Sequence, residues 1–186
     1  SILAHVLTAH PDDQISDELD AVDLIREGYT PDQVYALIRH QDRRLHKRNR
    51  RKSGYSYMLE NSYQGASDKH PRAIGDAKGS QTVRVFADEP GFLPFLRQWA
   101  GVPLRLFVHT RNPFDIVASK VRRESLDLPD ATQAVVERIG QMDRAVSQLD
   151  PGEYKLQSHE AIMADPAGSF AEMFEFLDVS PYPEMV

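Results

Sequence analysis

Residues 110–119 carry side chains that could bind an anion. Arg111 follows an apolar run, Leu104-Arg105-Leu106-Phe107-Val108-His109, that is typical of a strand, and Asn112-Pro113 is typical of a helix start. The pattern predicts a strand, a turn and a helix, with Ser119 on the helix. A guanidinium group can bind a phosphate through two hydrogen bonds, and free N–H groups at a helix N-terminus favour the same anion.

The helix after this turn is amphipathic in sequence. Asp115 lies at its third position and is expected to close a capping box with Asn112. An Asn-Pro-x-Asp run is a common helix start, so these residues alone fit an ordinary capped helix as well as an anion site. The apolar side chains that we expect on the buried face are those of Phe114, Val117, Ala118 and Val121.

Two further segments carry charged groups that could act on a substrate. Asp17 and Glu18 stand in a Ser-Asp-Glu run that is typical of a helix cap, and Lys78 follows a short apolar entry to a turn. A charged helix N-terminus and a solvated turn lysine are the alternative interpretations. We expect His10, before a proline, and His109, on the strand, to be structural.

Charge is unevenly distributed along the chain of 186 residues. The formal net charge is −6, yet residues 39–52 hold eight Lys or Arg and one acid, a net of +7, which leaves −13 for the remainder. A basic segment on an acidic body indicates a specific anionic partner more than a general nucleic-acid coat, so we do not expect nucleic acid to bind. A solvated helix surface is the alternative.

Composition excludes several classes of site. The chain has no cysteine, which excludes disulfides, thiolate zinc sites and cysteine nucleophiles, and no His, Asp and Glu grouping has metal-ligand spacing. No run of about 18 apolar residues and no signal-peptide pattern is present. We therefore expect a cytoplasmic protein without membrane contact, folded as one domain over residues 1–186.

The order of elements predicts an α/β domain with a parallel sheet. Helices are expected to begin at Pro31 and Pro166, to cover 129–149, and to run from Phe92 to Trp99; a last short strand is expected at 153–157. The sequence of residues 53–71 predicts a surface loop.

Four segments resemble motifs of the PAPS-dependent sulfotransferase family, PAPS being 3′-phosphoadenosine 5′-phosphosulfate. Residues 111–119 are similar to the motif that holds the 3′-phosphate of this donor. Residues 1–18 look like the helix after the family's phosphosulfate loop and an acidic residue near the acceptor. Residues 75–79 resemble its Gly-Asp-Lys-type turn, and residues 158–177 its late Tyr-Glu-Asp-Leu segment with the Asp-Pro and Phe-Leu pairs. The segments follow the family's order across nearly the whole chain.

The resemblance implies a three-layer α/β/α arrangement with a short parallel sheet, like that of P-loop NTPases. Arg111 and Ser119 would hold the 3′-phosphate of PAPS, and Ser1 would be the last residue of the phosphosulfate loop. We accordingly expect residues 1–186 to be a sulfotransferase domain incomplete at both ends.

The resemblance also implies a mechanism without a metal. Lys78 would stabilise the leaving group, and Glu18, with Asp17 as the second candidate, would accept the acceptor's proton. The acceptor would be a hydroxyl of a small molecule, a glycan or a peptide, with pocket residues from the loop: Tyr55, Tyr57, Tyr63 and Gln64.

Two other functions compete with this interpretation. An α/β nucleotide or small-molecule kinase shares the strand–turn–helix phosphate site. A non-catalytic polyanion-binding protein would use the basic segment, through Arg43, Arg44, Lys47 and Arg48.

Overall fold

The computed structural model describes residues 2–52, 55–59, 62–66 and 70–180, and Ser1 lies outside them. The chain separates into two compact units, the first formed by residues up to Thr82 together with 170–180 and the second by 83–169. The elements are α1 (Ile2–Leu7), β1 (Asp13–Asp17), α2 (Ala21–Arg26), α3 (Pro31–Lys47), β2 (Arg51–Lys52), β3 (Tyr55–Ser56), β4 (Ala73–Ala77), α4 (Gly79–Asp88), α5 (Phe92–Ala100), β5 (Leu106–Thr110), α6 (Pro113–Glu124), α7 (Leu128–Val146), β6 (Tyr154–Ser158), α8 (His159–Ala164) and α9 (Pro166–Phe176).

Two parallel strand pairs define the fold. β1 pairs with β4, so that Asp13 lies opposite Ala73, and β5 pairs with β6. Antiparallel β2 and β3 form a short hairpin, in which β2 ends the basic segment and β3 lies in the segment 53–71 that was expected to be a loop. Helices alternate with the parallel strands, which confirms the predicted α/β class.

Helix α3 forms where its sequence signals place it. Thr30 accepts a hydrogen bond from the Gln33 N–H, the Gln33 side chain accepts one from the Thr30 N–H, and Pro31 occupies the first helical position. Val34 and Ile38 face the core of the first unit. The other buried apolar side chains of that core come mainly from α1, α2 and α9, and include Leu3, Leu7, Ile25, Met173 and Phe174.

Strand β1 overturns one sequence prediction. Ser16 and Asp17 belong to a buried strand, whereas the sequence predicts a helix cap there. Asp13, Gln14, Ser16 and Asp17 are all buried although they are polar. No apolar alternation marks this strand, because side-chain and tertiary interactions rather than apolar burial hold it.

A buried ionic chain links α3 to β1. Arg50 is ion-paired with Asp42, and both side chains are fully buried. The Nη1 atom of Arg50 lies 3.3 Å from Nδ1 of His5, and Nε2 of His5 lies 3.9 Å from Oδ2 of Asp17. The His5 ring also stacks on Tyr57, with 4.4 Å between ring centroids. Removing one partner would leave an uncompensated buried charge, so these residues are expected to hold the first unit in a single arrangement.

The second unit exposes more apolar surface than its sequence predicts. Phe114 on α6 is 81% exposed, and no residue of α6 is buried. On α7, Val135 is buried, but Val136 and Ile139 are exposed. The buried face expected for α6 is therefore wrong at Phe114 and Ala118, which are exposed, while Val117 and Val121 are half-buried, because α6 lies at the surface of this unit.

Asp13 makes the stability of the fold depend on pH. Its side chain is 1% exposed, and neither carboxyl oxygen has a hydrogen-bond partner among the described residues. Burial, assisted by the charge of Asp12, raises the pKa of Asp13 from 3.8 to about 7. Between these values the unfolded chain has released this proton and the folded chain has kept it, so stability falls as pH rises from about 4 to 7.

We expect Asp13→Asn to remove this pH dependence, because the amide has nearly the same shape and carries no charge. At pH 8 the variant should gain up to about 4 kcal/mol in free energy of unfolding, and at pH 4 it should gain little. Urea unfolding at both pH values measures this. Asp143→Asn, on the exposed surface of α7, is the matched control, and an identical pH profile in wild type and Asp13→Asn would contradict the assignment.

Candidate functional site

The carboxyl ends of β1 and β4 bring two predicted site residues together. Asp17 and Ala77, the last residues of the two strands, pair in register, and the Glu18 N–H donates to the Ala77 carbonyl at 3.3 Å. Glu18 and Lys78 are therefore the first residues beyond two adjacent parallel strands. Ligands of open α/β sheets bind at such strand ends.

The Asp76 carboxylate holds the turn that follows β1. One oxygen, Oδ1, accepts from the Ser16 hydroxyl at 2.7 Å and from the Leu19 N–H at 3.1 Å, and Oδ2 accepts from the Ala21 N–H at 3.0 Å. Glu18 and Asp20 adopt left-handed backbone conformations, with φ of 59° and 62°. Such conformations cost about 1 kcal/mol or more per non-glycine residue, and the bonds to Asp76 offset this cost.

Lys78 is paired with an acid that sequence reasoning missed. Its Nζ atom lies 3.1 Å from Oδ2 of Asp20. The hydrogen bond to Asp20, with the charges of Asp20, Glu18 and Asp76, raises the pKa of Lys78, so the side chain stays an ammonium group. The density of acids in the Asp-Glu-x-Asp run at 17–20 is the only sequence signal of this contact.

The two acidic candidates differ in accessibility. The Asp17 side chain is 2% exposed and faces His5, whereas Glu18 is exposed beyond the strand end. A proton acceptor must reach its substrate, so the geometry favours Glu18 over Asp17.

Arg111 and Ser119 lie in the second unit. Arg111 follows the last residue of β5, and its Nη2 atom lies 3.7 Å from Oδ2 of Asp115, with both side chains about half-exposed. Ser119 lies on α6, two turns after Arg111, and is half-buried. A pair this exposed and this long contributes little energy, so the guanidinium group can be shared with an incoming anion.

The N-terminus of α6 is capped from another helix. Asn112 accepts from the Phe114 N–H at 2.9 Å, as expected of an N-cap residue. The Asn112 N–H, however, donates to Oε1 of Glu160 at 2.8 Å, so the role predicted for Asp115 is wrong. Asp115 pairs with Arg111 instead, since Glu160, the second residue of α8, already occupies the capping position. This hydrogen bond lowers the pKa of Glu160.

The histidines lie in structural positions. Nδ1 of His10 accepts from the Asp12 N–H at 3.1 Å, so Nε2 donates to the Ser180 carbonyl at 2.9 Å. Burial, and the charge of His159, lower the pKa of His109. Among the described residues, no group of His, Asp and Glu could hold a metal ion. The helices of the same residues include none that is long and apolar enough to cross a bilayer.

Comparison with solved structures finds the same fold in sulfotransferases. The sulfotransferase domain from the curacin biosynthetic pathway matches with a TM-score of 0.58 at 15% identity, over 100% of this chain and 72% of that one. A sulfotransferase from Alicyclobacillus acidocaldarius matches with a TM-score of 0.55 at 18% identity, over 99% and 82%. No family model and no curated protein matches the sequence. The chain therefore has the fold of sulfotransferase domains.

We expect Asp76→Ala to loosen the turn that carries Glu18 and Asp20. Loss of three hydrogen bonds to a carboxylate should lower the free energy of unfolding by about 3 kcal/mol. Hydrogen exchange of the Leu19 and Ala21 amides should accelerate well beyond the change in global stability. Asp88→Ala, which removes only a surface pair with Arg144, is the control and should cost less than about 1 kcal/mol. Equal exchange rates in the two variants would contradict this role of Asp76.

Proposed function

We propose that the protein transfers a sulfuryl group from PAPS to a hydroxyl group of an acceptor. The observation that carries the proposal is the in-register pairing of β1 with β4, which makes Glu18 and Lys78 the first residues beyond two adjacent strand ends. The fold shared with two sulfotransferases supports it. The three-layer, P-loop-like arrangement of the sheet is part of the same proposal.

The reaction needs two groups of opposite character. The acceptor oxygen attacks the sulfur atom, the bond from sulfur to the bridging oxygen breaks, and adenosine 3′,5′-bisphosphate leaves with the electron pair. A cation stabilises the charge that develops on the bridging oxygen, and a base takes the proton of the attacking hydroxyl. PAPS is consumed as a substrate.

Lys78 and Glu18 fit these two roles. The acids around Lys78 hold its side chain protonated, so it presents a fixed positive charge, at the cost of sharing it with Asp20. Glu18 is exposed and lies beyond the strand end, where an acceptor hydroxyl can reach it. Asp17 stays a predicted second candidate, disfavoured by its burial beside His5.

Arg111 and Ser119 would hold the 3′-phosphate of the donor. The Arg111 guanidinium can offer two parallel hydrogen bonds to phosphate oxygens, and the Ser119 hydroxyl can donate a third. The exposed contact of Arg111 with Asp115 leaves this exchange open. Ser1, predicted from the resemblance to close the phosphosulfate loop, lies outside the described residues.

We expect Lys78→Met and Glu18→Gln each to lower kcat about 10²- to 10³-fold with a much smaller change in KM, because both groups act on charge that develops in the transition state. Transfer of labelled sulfate from PAPS by the full-length gene product measures this. Lys120→Met, which disrupts only a pair within α6, is the matched control. Wild-type kcat in both site variants would contradict the assigned roles.

A second measurement tests the donor site. The double variant Arg111→Ala, Ser119→Ala should bind adenosine 3′,5′-bisphosphate about 10- to 100-fold more weakly, because two anchors of one phosphate are lost. Calorimetry on the full-length product gives the affinity, with Arg123→Ala on the exposed side of α6 as control. Unchanged affinity would contradict the assignment of Arg111 and Ser119 to the donor site. Magnesium-dependent ATP turnover without transfer from PAPS would favour a kinase.

A further inference from the structure

The basic segment, residues 39–52, exposes no negative charge in the folded chain. The one acid within residues 39–52 is Asp42, which is buried and ion-paired with buried Arg50. The charges that stay exposed on this segment are therefore all positive. We use the name cationic strip for four exposed side chains whose charged groups have no hydrogen-bond or ion-pair partner among the described residues, namely Arg44, Lys47, Arg48 and Arg51.

Buried side chains connect the segment that carries the cationic strip with the end of β1. Arg50, which precedes the last member of the strip, and Asp17, which precedes Glu18, contact opposite nitrogens of the His5 ring at 3.3 and 3.9 Å. This chain of buried side chains therefore connects the backbone that carries the strip with the last residue of β1, and both belong to the first unit.

The surroundings of the strip favour a narrow, flexible polyanion. The segment 40–51 contains no Phe, Tyr or Trp on which nucleic-acid bases could stack. Among the described residues, no large apolar side chain between 31 and 56 is strongly exposed, so the apolar core of an ordinary protein interface is missing. The net charge of −13 on the rest of the chain disfavours a broad anionic surface such as a duplex or a bilayer.

We propose that the cationic strip binds an acidic polysaccharide, a chain of hydroxylated sugars bearing carboxylate or sulfate groups, which is the acceptor whose hydroxyl reaches Glu18. The acceptor role rests on the proposed sulfuryl transfer. Guanidinium groups bind the planar carboxylates of such a chain through paired hydrogen bonds, and three of the four cations of the strip are arginines.

Binding of a hyaluronan octasaccharide tests the strip without any donor. The double variant Arg44→Gln, Arg48→Gln should bind it about tenfold more weakly than wild type and with a shallower salt dependence. The control Arg122→Gln, Arg123→Gln removes the same charge from exposed positions on α6 and should bind within twofold of wild type. Absent binding, or equal losses in the two double variants, overturns the proposal. Equally tight binding of poly-glutamate or of oligo-dT overturns the choice of polysaccharide.

Transfer from PAPS to the same octasaccharide tests the acceptor role in the full-length product. The Arg44→Gln, Arg48→Gln variant should raise KM for the octasaccharide about tenfold and leave kcat unchanged, since the strip contacts no reacting atom. Transfer to an uncharged acceptor that is insensitive to this variant, with none to the octasaccharide, overturns the acceptor role and leaves sulfuryl transfer intact. Strip-dependent binding with no transfer to any acceptor contradicts the proposed function instead.

Discussion

The Asp76 carboxylate is the group on which the candidate site depends. It accepts one hydrogen bond from Ser16 on β1 and two from the turn that follows, and that turn holds Glu18 and Asp20 in left-handed conformations that neither residue favours alone. Asp76 is itself placed by the parallel pairing of β4 with β1. The strand register therefore positions Asp76, and Asp76 positions the two strained residues Glu18 and Asp20. The position of Lys78 depends on the same contacts, because Lys78 pairs with Asp20.

The sequence was informative where the determinants are local. Thr30-Pro31 predicted the start of α3, and the apolar run before Arg111 predicted β5 and α6, because a cap and a strand need only neighbouring residues. The Asp20–Lys78 contact joins residues 58 positions apart and the Asn112–Glu160 contact joins residues 48 positions apart, so no local sequence pattern predicts them. Strand β1 was missed for a related reason, since its polar residues are buried through distant partners.

Several expectations stay predictions. They are the single domain over residues 1–186, the cytoplasmic location, the partners and the roles of the six site residues. What the structure adds is a distinction between charges. In the sequence, Arg50 cannot be distinguished from the other arginines of the basic segment. In the structure, Arg50 and Asp42 neutralise each other in the interior, while Arg44 and Arg48 face solvent. A sequence shows the sum of such charges, and only the packing shows which of them a partner can meet.

The polar character of β1 also bears on the order in which the chain folds. Its first residue pairs with Ala73, 60 positions later, and the chain between them must be brought together before any hydrogen bond of this pair can form. Hydrophobic collapse offers β1 little assistance, because its buried side chains Asp13, Gln14, Ser16 and Asp17 are polar. Ser16 and Asp17 meet Asp76 and His5 only when the rest of the first unit is in place. Helix α3, which carries its own caps, can form early. We therefore expect the strand edge that carries the candidate site to be among the last parts of the molecule to assemble.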